Sequence, residues 1–224
     1  MVRNNFHPGP NEASFKVGGV HSIILVHHRC AKRRLPRFIR FGYCRAFRID
    51  ENPMSIDLQS CRLGEGATPL ALESSVDHCA AALALATQAT RSVHIFSHQL
   101  DRRVYDQKPF IEALTQLALR SPQCKVLILV RDTNDMIHNG HRLIEAIRRL
   151  PSRMQLRKVH EDFLNTTDEF VVADETGLLL RRIATRYDGS VNFNARKEAG
   201  ERVKFFNEVW RPSEPDPKLK HLSI

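Results

Sequence analysis

A chain of 224 residues, with 42% hydrophobic and 26% charged residues, has the composition of one soluble globular domain with room for a short appendage. The net charge of +9 is uneven, since residues 1–53 hold ten Lys/Arg and three Asp/Glu while the rest holds 24 and 22. An electrostatic argument for nucleic-acid binding therefore depends almost entirely on the first 53 residues.

Five cysteines are scattered along the chain, and no two of them form a Cys-x-x-Cys pair. This pattern favours neither a disulfide framework nor a zinc site, and it fits a reducing cytoplasm. The longest apolar run near the start, Ile23 to Val26, is too short for a secretory signal or a membrane span. We therefore expect a cytoplasmic protein with no membrane segment and no cofactor.

Residues 1–53 differ in composition from the rest of the chain. The stretch from Val26 to Arg48 mixes arginines with aromatic residues at no steady period, so it offers no apolar face. Four interpretations are open: a basic arm for nucleic acid, an Arg-rich organellar presequence, a locally ordered extension, or translated upstream sequence before a start at Met54. We favour the last, and we expect a disordered, non-domain head at 1–53 and a single domain at 54–224.

Helices and strands alternate from Ser74 onward. Ser74 and Asp77 form a capping-box pattern, which predicts a helix that runs to about Thr90. A strand is predicted at Ser92 to His98, and after a second helix the apolar run Lys125 to Val130 predicts a buried central strand. The apolar stripes of the two helices are Val76, Cys79, Ala80, Leu83 and Ala86, and Phe110, Ile111, Leu114, Leu117 and Ala118.

The second half continues the alternation and adds a hairpin. The next strand is predicted at Met154 to Val159, and the runs EFVVAD and LLLRRI flank a turn in which Gly177 should supply the positive φ of a tight hairpin. The last helix is predicted at about Ala195 to Trp210, with Asn194 as its N-cap. The third helix, which precedes these elements, is striped by Leu143, Ile144, Ile147 and Leu150.

The order of these elements indicates an α/β domain. Strands separated by helices of ten or more residues favour parallel pairing, and the hairpin adds an antiparallel element. We therefore predict a mixed, mostly parallel sheet with helices on both faces.

This order resembles one half of a phospholipase D-like domain, in which a strand carries His-x-Lys-x4-Asp and a later Gly-Ser-x-Asn follows. The segments IFSHQLD, VLILVRD, GHRLIEAIRRLPSR and DPKLKHL are similar to a bacterial phospholipase D-like domain of unknown function that is sometimes attached to a GNAT-type acetyltransferase. The similarity covers about residues 55–224 and implies an acetyltransferase-type partner. This chain has no Gly-rich strand-to-helix loop of the acetyltransferase kind.

The catalytic part of the phospholipase D-like motif has no counterpart here. If Asp174 takes the place of the motif's Asp, Thr167 stands where the His belongs and Glu169 where the Lys belongs. Thr167 has no base to activate it and a glutamate would repel phosphate, so we expect no such catalysis. The resemblance transfers only Asp174, Ser190 and Asn192. The string GSVN that holds the last two is short, and its ordinary interpretation is a turn before the final helix.

A second candidate site lies between the strand that leads to Asp132 and the third helix. Gly140 opens that helix, and backbone N–H groups with His141 and Arg142 could cradle an anion at the carboxyl end of the strand. The alternative is a glycine turn followed by a solvated first helical turn. His138 and His141 form a His-x-x-His pair, but without a third ligand this pattern is weak evidence for a metal.

The densest basic group of the domain is a phosphate or nucleic-acid groove in one interpretation and a solvated face in the other. Its members are Arg148, Arg149, Arg153, Arg157, Arg181, Arg182 and Arg186.

These patterns together favour a non-enzymatic accessory or binding domain with an anionic ligand, such as one that contains phosphate. Two alternatives are an enzyme of the phosphodiesterase or transferase class with an unrecognised site in the same cleft, and a nucleic-acid binder. The candidate anion-binding residues are Asp132, His141, Arg142, Asp174, Arg182, Ser190 and Asn192, and the enzyme hypothesis uses Ser97, His98, Asp132 and His141.

Overall fold

The computed structural model describes residue 58, residues 60–66 and residues 68–220. The interpretations of residues 1–53 and of a start at Met54 lie outside these ranges. Among the helices within them, none combines the length and the apolar composition that a membrane crossing requires. The cysteines within them, Cys61, Cys79 and Cys124, form no disulfide bond with one another.

The described residues contain one sheet of seven strands. These are β1 (Leu70–Leu72), β2 (Ser92–Ser97), β3 (Lys125–Val130), β4 (Met154–Lys158), β5 (Glu169–Ala173), β6 (Gly177–Arg181) and β7 (Gly189–Asn192). Across the sheet they lie in the order β1-β7-β6-β5-β2-β3-β4. The five strands predicted from apolar runs are all present, and the short strands β1 and β7 are additional.

The sheet is mixed, as predicted, but antiparallel pairing predominates in the part of the chain that the structure describes. The pairs β2–β3 and β3–β4 are parallel, whereas the other four pairs are antiparallel. The expectation of a mostly parallel sheet is therefore wrong in its proportion. The link from β4 to β5 contains only a 3-10 turn at Glu161–Phe163, and a parallel return needs a longer crossover, usually a helix.

Seven helices accompany the sheet in the described ranges. They are α1 (Ser75–Gln88), α2 (Arg102–Tyr105), α3 (Lys108–Arg120), α4 (Asn134–Asn139), α5 (Arg142–Arg149), α6 (Arg196–Trp210) and α7 (Pro217–Lys220). The predicted capping box of α1 is present, because Ser74 Oγ accepts from Asp77 N at 3.1 Å and Asp77 Oδ2 accepts from Ser74 N at 3.0 Å. The four helices predicted from the sequence correspond to α1, α3, α5 and α6.

Helices cover both faces of the sheet, as predicted. On one face, strand residues such as Ile95 and Ile128 pack with the buried residues of α1, α3 and α5. On the other face, Phe96 and Phe170 pack against α6, whose Phe206 is fully buried. Alternate residues of the central strands therefore enter two different cores.

The hairpin between β5 and β6 forms where it was predicted, but Gly177 does not supply the positive φ. Asp174 and Glu175 do so instead, with φ values of 52° and 53°. Gly177 is the first residue of β6, and a Cβ there would lie 2.6 Å from side-chain atoms of Leu63 and Leu85. Close packing against two leucine side chains, rather than turn geometry, therefore favours glycine here.

The GSVN string forms a strand rather than the expected turn. Gly189 to Asn192 make up β7, which pairs with both β6 and β1. The following helix also begins differently from the prediction, because its N-cap is Ala195, with no side-chain cap hydrogen bond. Asn194, the predicted cap, instead donates its backbone N–H to Asn192 Oδ1 at 2.9 Å.

Candidate functional site

The positions that correspond to the His and Lys of the phospholipase D-like motif lie where β2 ends and β5 begins. Thr167 is exposed just before β5, whereas Glu169, the first residue of β5, is only 1% exposed. Since β5 runs antiparallel to both β2 and β6, their last residues, Ser97 and Arg181, lie beside Glu169. The strand register thus brings a carboxylate, a hydroxyl and a guanidinium together in the interior.

The carboxylate of Glu169 is fully engaged by these neighbours. Its Oε1 accepts from Ser97 Oγ at 2.8 Å and from the backbone N–H of His98 at 2.5 Å. Its Oε2 accepts from Arg181 Nε at 2.6 Å and also pairs with Arg181 Nη2. Burial is the largest single effect and opposes the charge of Arg181, but the interactions with Glu169, Tyr105 and Asp101 together outweigh it and raise the pKa of the guanidinium.

Asp101 and Tyr187 extend this arrangement toward the surface. Tyr187 Oη donates to Asp101 Oδ2 at 2.6 Å, and the same oxygen lies 3.7 Å from Arg181 Nη1. The Arg181 guanidinium also lies over the Tyr187 ring, with its Cζ 5.3 Å from the ring centroid. We call Ser97, Asp101, Glu169, Arg181 and Tyr187 the Glu169 cluster.

The Glu169 cluster is unsuited to phosphoryl transfer. Such chemistry needs an accessible nucleophile and a cation available for the charge that develops on the phosphoryl group. The charge of Arg181 is compensated by Glu169, and Ser97 is fully buried, so a substrate cannot reach its hydroxyl. The cluster instead ties β2, β5 and β6 together through charged hydrogen bonds.

Asp174 lies at the opposite end of β5 and holds a loop. Its Oδ2 accepts from the backbone N–H and the hydroxyl of Thr90 at 2.7 and 2.8 Å. Its Oδ1 accepts from Arg91 N at 2.7 Å and from Ser92 N at 2.9 Å. This carboxylate is thus bound to the connection between α1 and β2.

Arg182 and Ser190 are brought together, whereas Asn192 lies apart from them. The first two line a groove of about 350 Å³ beside the ends of β6 and β7. Arg182 is exposed there. Asn192 pairs with Leu178 further along β7 and lines a separate groove of about 300 Å³.

The start of α5, where the sequence pattern places an anion, holds the chain's own Asp106. This residue is 6% exposed, and its Oδ1 accepts from Arg142 N at 2.9 Å and lies 3.7 Å from His141 Nδ1. Its Oδ2 pairs with Arg102 Nη2 at 3.3 Å. The start of a helix favours negative charge, and here the buried carboxylate of Asp106 supplies it.

His141 acts as the N-cap of α5. Its Nδ1 accepts from Leu143 N at 3.2 Å, and its Nε2 is buried without a hydrogen-bond partner. Burial lowers the pKa of His141, although the charge of Asp106 acts in the opposite direction. The ring therefore favours its neutral form, which the capping bond also requires.

Asp132 forms a local turn beyond β3. Its Oδ1 accepts from Asn134 N at 2.9 Å, and its own backbone N–H donates to His98 O at 2.7 Å. His138 lies nearby in α4 and uses its Nδ1 to contact Asn134 O at 2.8 Å. Within the described residues, no group of three or more His, Cys, Asp or Glu is placed to hold a metal ion.

The predicted site residues do not converge on one pocket. Asp132 and Arg182 follow the strands at the edge of the sheet where β2 ends, whereas Asp174 lies beside Ser92, where β2 begins. Three strand spacings separate β3 from β6, which at ~4.8 Å each places Asp132 and Arg182 about 14 Å apart.

Most arginines of the densest basic group have partners within the chain. Three of its arginines donate to backbone carbonyl oxygens and three pair with carboxylates, whereas Arg182 has no such partner among the described residues. The carbonyl donors are Arg148, Arg153 and Arg157, and the ion pairs are Arg149–Glu145, Arg181–Glu169 and Arg186–Asp188.

Sequence reasoning missed two charged residues at the same edge of the sheet. Asp106 contacts Arg142 across 36 positions of the chain, and no periodic pattern reveals such a contact. Arg131 is the first residue after the buried run of β3. The carboxyl ends of parallel strands are frequent ligand sites, so its position was an available signal.

The fold is a mixed α/β domain, and the Glu169–Arg181 ion pair lies at the centre of the Glu169 cluster. The chain belongs to the family described as a domain of unknown function (DUF7931), whose model matches residues 74–222. None of the curated proteins matches this chain in sequence.

Several solved structures are similar in fold at low sequence identity. The archaeal chromatin protein TrmBL2, described with a novel mode of DNA binding, has a TM-score of 0.51 and 12% identity over 68% of this chain and 55% of its own. NucT from Helicobacter pylori has a TM-score of 0.51 and 10% identity over 67% of this chain and 100% of its own. Nuc from Salmonella typhimurium, a phospholipase D family member, has a TM-score of 0.49 and 14% identity over 66% of this chain and 97% of its own.

These similarities concern the fold, and this chain spans about half the length of the chromatin protein. The predicted α/β class with a mixed sheet is confirmed. The family match over residues 74–222 agrees with the resemblance to a domain of unknown function.

Proposed function

We propose that this protein is a non-catalytic binding or accessory domain of the reducing cytoplasm. The strongest support is Glu169, which stands at the position of the motif's Lys and is buried against Arg181. A free cation there would stabilise charge on a phosphoryl group, whereas a neutralised ion pair does not. An acetyltransferase-type partner, implied by the family resemblance, belongs to the same proposal.

The ligand in this proposal is anionic, with phosphate as the simplest example. The groove that Arg182 and Ser190 line supports it, because an exposed arginine and a hydroxyl are suitable donors to an oxyanion. His141 and Arg142 contribute less than their sequence pattern suggests, since both contact Asp106.

A phosphodiester assay tests the absence of catalysis. We expect the full chain to hydrolyse bis(p-nitrophenyl) phosphate no faster than buffer, because Thr167 lacks a base and Glu169 is neutralised. The matched variants are Thr167→Val, at the position of the motif's His, and Thr166→Val beside it. Turnover by the parent that disappears in Thr167→Val but persists in Thr166→Val would overturn the proposal.

The enzyme alternative receives little support from its own residues. Ser97 Oγ donates to Glu169, and His141 caps α5, so their functional atoms have separate structural partners. Asp132 is engaged in a turn with Asn134. General acid–base catalysis needs such groups within hydrogen-bond reach of one substrate.

The nucleic-acid alternative is favoured by the similarity in fold to a DNA-binding chromatin protein. Phosphate-backbone binding depends on several available cations. Six of the seven arginines in the densest basic group already have partners in the chain. A small anionic ligand therefore agrees better with the described residues than a nucleic-acid backbone.

A further inference from the structure

Arg131 is a half-buried cation that lacks a carboxylate partner among the described residues. None of the ion pairs between described residues includes it. Its Nη2 donates to Thr167 O at 3.5 Å, and its Nε is buried without any partner. Burial lowers the pKa of this guanidinium, although Glu169 and Asp168 attract it. Its charge is thus incompletely compensated by the described residues.

The two carboxylates that attract Arg131 are committed to other arginines. Glu169 pairs with Arg181 in the interior. Asp168 Oδ2 lies 2.9 Å from Arg202 Nη2. Neither lies within ion-pair distance of Arg131, so no carboxylate among the described residues neutralises this guanidinium.

His98 lies directly beside Arg131. The register of β2 and β3 pairs Ser97 with Val130, which makes His98 and Arg131 the next pair of neighbours. The hydrogen bonds from Arg131 N to Ser97 O at 3.1 Å and from Asp132 N to His98 O at 2.7 Å extend this pairing beyond the strands. His98 Nδ1 is also buried without a partner.

Arg131 lies on the face of the sheet that α6 covers, because its Cζ is 5.9 Å from the centroid of the Phe96 ring, which packs against α6. Side chains alternate between faces along a strand, so the position of His98, two residues after Phe96, belongs to the same face. This contact with the Phe96 ring places the guanidinium at the carboxyl ends of β2 and β3, which are adjacent parallel strands. This is a recurrent place for ligands in open α/β sheets.

We propose that His98 and Arg131 bind an oxyanion, a phosphate or carboxylate group of a small ligand, at the carboxyl ends of β2 and β3. The proposal rests on the binding role proposed above and gives that role a location. Arg131 supplies the charge and N–H donors, and the His98 ring supplies a further donor. The site is distinct from the Arg182–Ser190 groove, which lies beside β6 and β7.

The test is a titration of the full chain with inorganic phosphate and, separately, with acetate, followed by amide chemical shifts in NMR. We expect residues around His98 and Arg131 to respond, and Arg131→Gln to weaken binding about tenfold or more because the charge is lost. Arg131→Lys, which keeps the charge but loses the planar donor pair, should give an intermediate affinity. The anion that binds more tightly identifies the class of oxyanion.

Arg91→Gln is the matched control, because Arg91 is exposed and lies where β2 begins, at the opposite edge of the sheet. Unchanged affinity in this variant together with weakened binding in both Arg131 variants supports the site. Binding that is lost in Arg182→Gln and kept in the Arg131 variants overturns this inference but leaves the proposed anionic ligand in place. If neither anion binds to the parent, the inference and the anionic part of the proposed function both fail.

Discussion

Gly189 has no room for a side chain. An added Cβ would lie 2.6 Å from the carbonyl oxygen of Leu180 and 2.7 Å from His78 Cε1. Backbone cannot move aside as a flexible side chain can, so we expect Gly189→Ala to destabilise the fold by about 1–3 kcal/mol. Urea unfolding followed by circular dichroism would measure this change in the free energy of unfolding.

The matched control for Gly189 is Gly200. It lies within α6, and an added Cβ there has no atom within 4 Å. Because alanine is a better helix former than glycine, Gly200→Ala should stabilise the protein by roughly 0.5–1 kcal/mol. If the two variants had equal stability, the crowding around Gly189 would have no energetic consequence.

The glycine of GSVN thus has a structural cause that a motif comparison does not reveal. The string invites comparison with a phosphate-chemistry motif, yet His78 and Leu180 occupy the space beside its glycine. The absence of His-x-Lys was readable from the sequence, because it concerns residue identity alone. The partner of Glu169 could not be predicted from the sequence, because it depends on the β5–β6 register, which places Arg181 opposite Glu169.

Helix α5 depends on Asp106 for its first turn. Asp106 accepts from Arg142 N and pairs with Arg102 while only 6% exposed. Removal of its charge in Asp106→Asn weakens both interactions, and we expect a loss of about 1–3 kcal/mol in the free energy of unfolding. Chemical denaturation at neutral pH is the measurement.

Glu145→Gln is the control within the same helix. Glu145 forms an exposed pair with Arg149 four residues later, and such pairs contribute roughly 0.3–0.5 kcal/mol. Its replacement should therefore change stability much less than Asp106→Asn. Equal losses would mean that the burial of Asp106 adds nothing to its role at the helix start.

The features of helices and strands that were predicted correctly are those that neighbouring residues in the sequence determine. The capping box of Ser74 and Asp77 spans three residues, and the sequence placed it correctly. The strands β1 and β7 were missed because they are short, with three and four residues, and carry no long apolar run. Their pairing comes from the sheet around them, which a local pattern does not contain.

The whole sheet divides into a parallel part and an antiparallel part that meet at β2. The strands β2, β3 and β4 run in parallel, and β5 begins the antiparallel side. The carboxyl end of β2 therefore collects residues from both parts, namely His98, Arg131 and the Glu169 cluster. One face of this junction is closed by an internal ion pair, and the other holds Arg131, which has no carboxylate partner among the described residues.

Three buried histidines make the whole fold sensitive to acid. Burial lowers the pKa of His94 to about 4. Burial also lowers the pKa of His78 and of His141. The hydrogen bond with the Tyr187 carbonyl opposes this shift for His78, and the charge of Asp106 opposes it for His141. Because the unfolded chain binds these protons more readily, stability present above pH ~6.5 is lost as the pH falls toward 4.

His94 alone should contribute on the order of 3 kcal/mol to this loss, because its pKa falls from 6.5 to about 4 and each unit corresponds to ~1.4 kcal/mol. The free energy of unfolding, measured by urea at intervals between pH 7 and 4, should decline through this window. In His94→Leu the decline should become shallower, since the apolar side chain beside Phe206 takes up no proton.

His138→Gln is the control, because His138 is exposed and its replacement should leave the slope unchanged. A parent curve that stays flat between pH 6.5 and 4 would show that the buried rings find partners for their charge, and equal slopes in the parent and His94→Leu would assign the acid sensitivity to other groups.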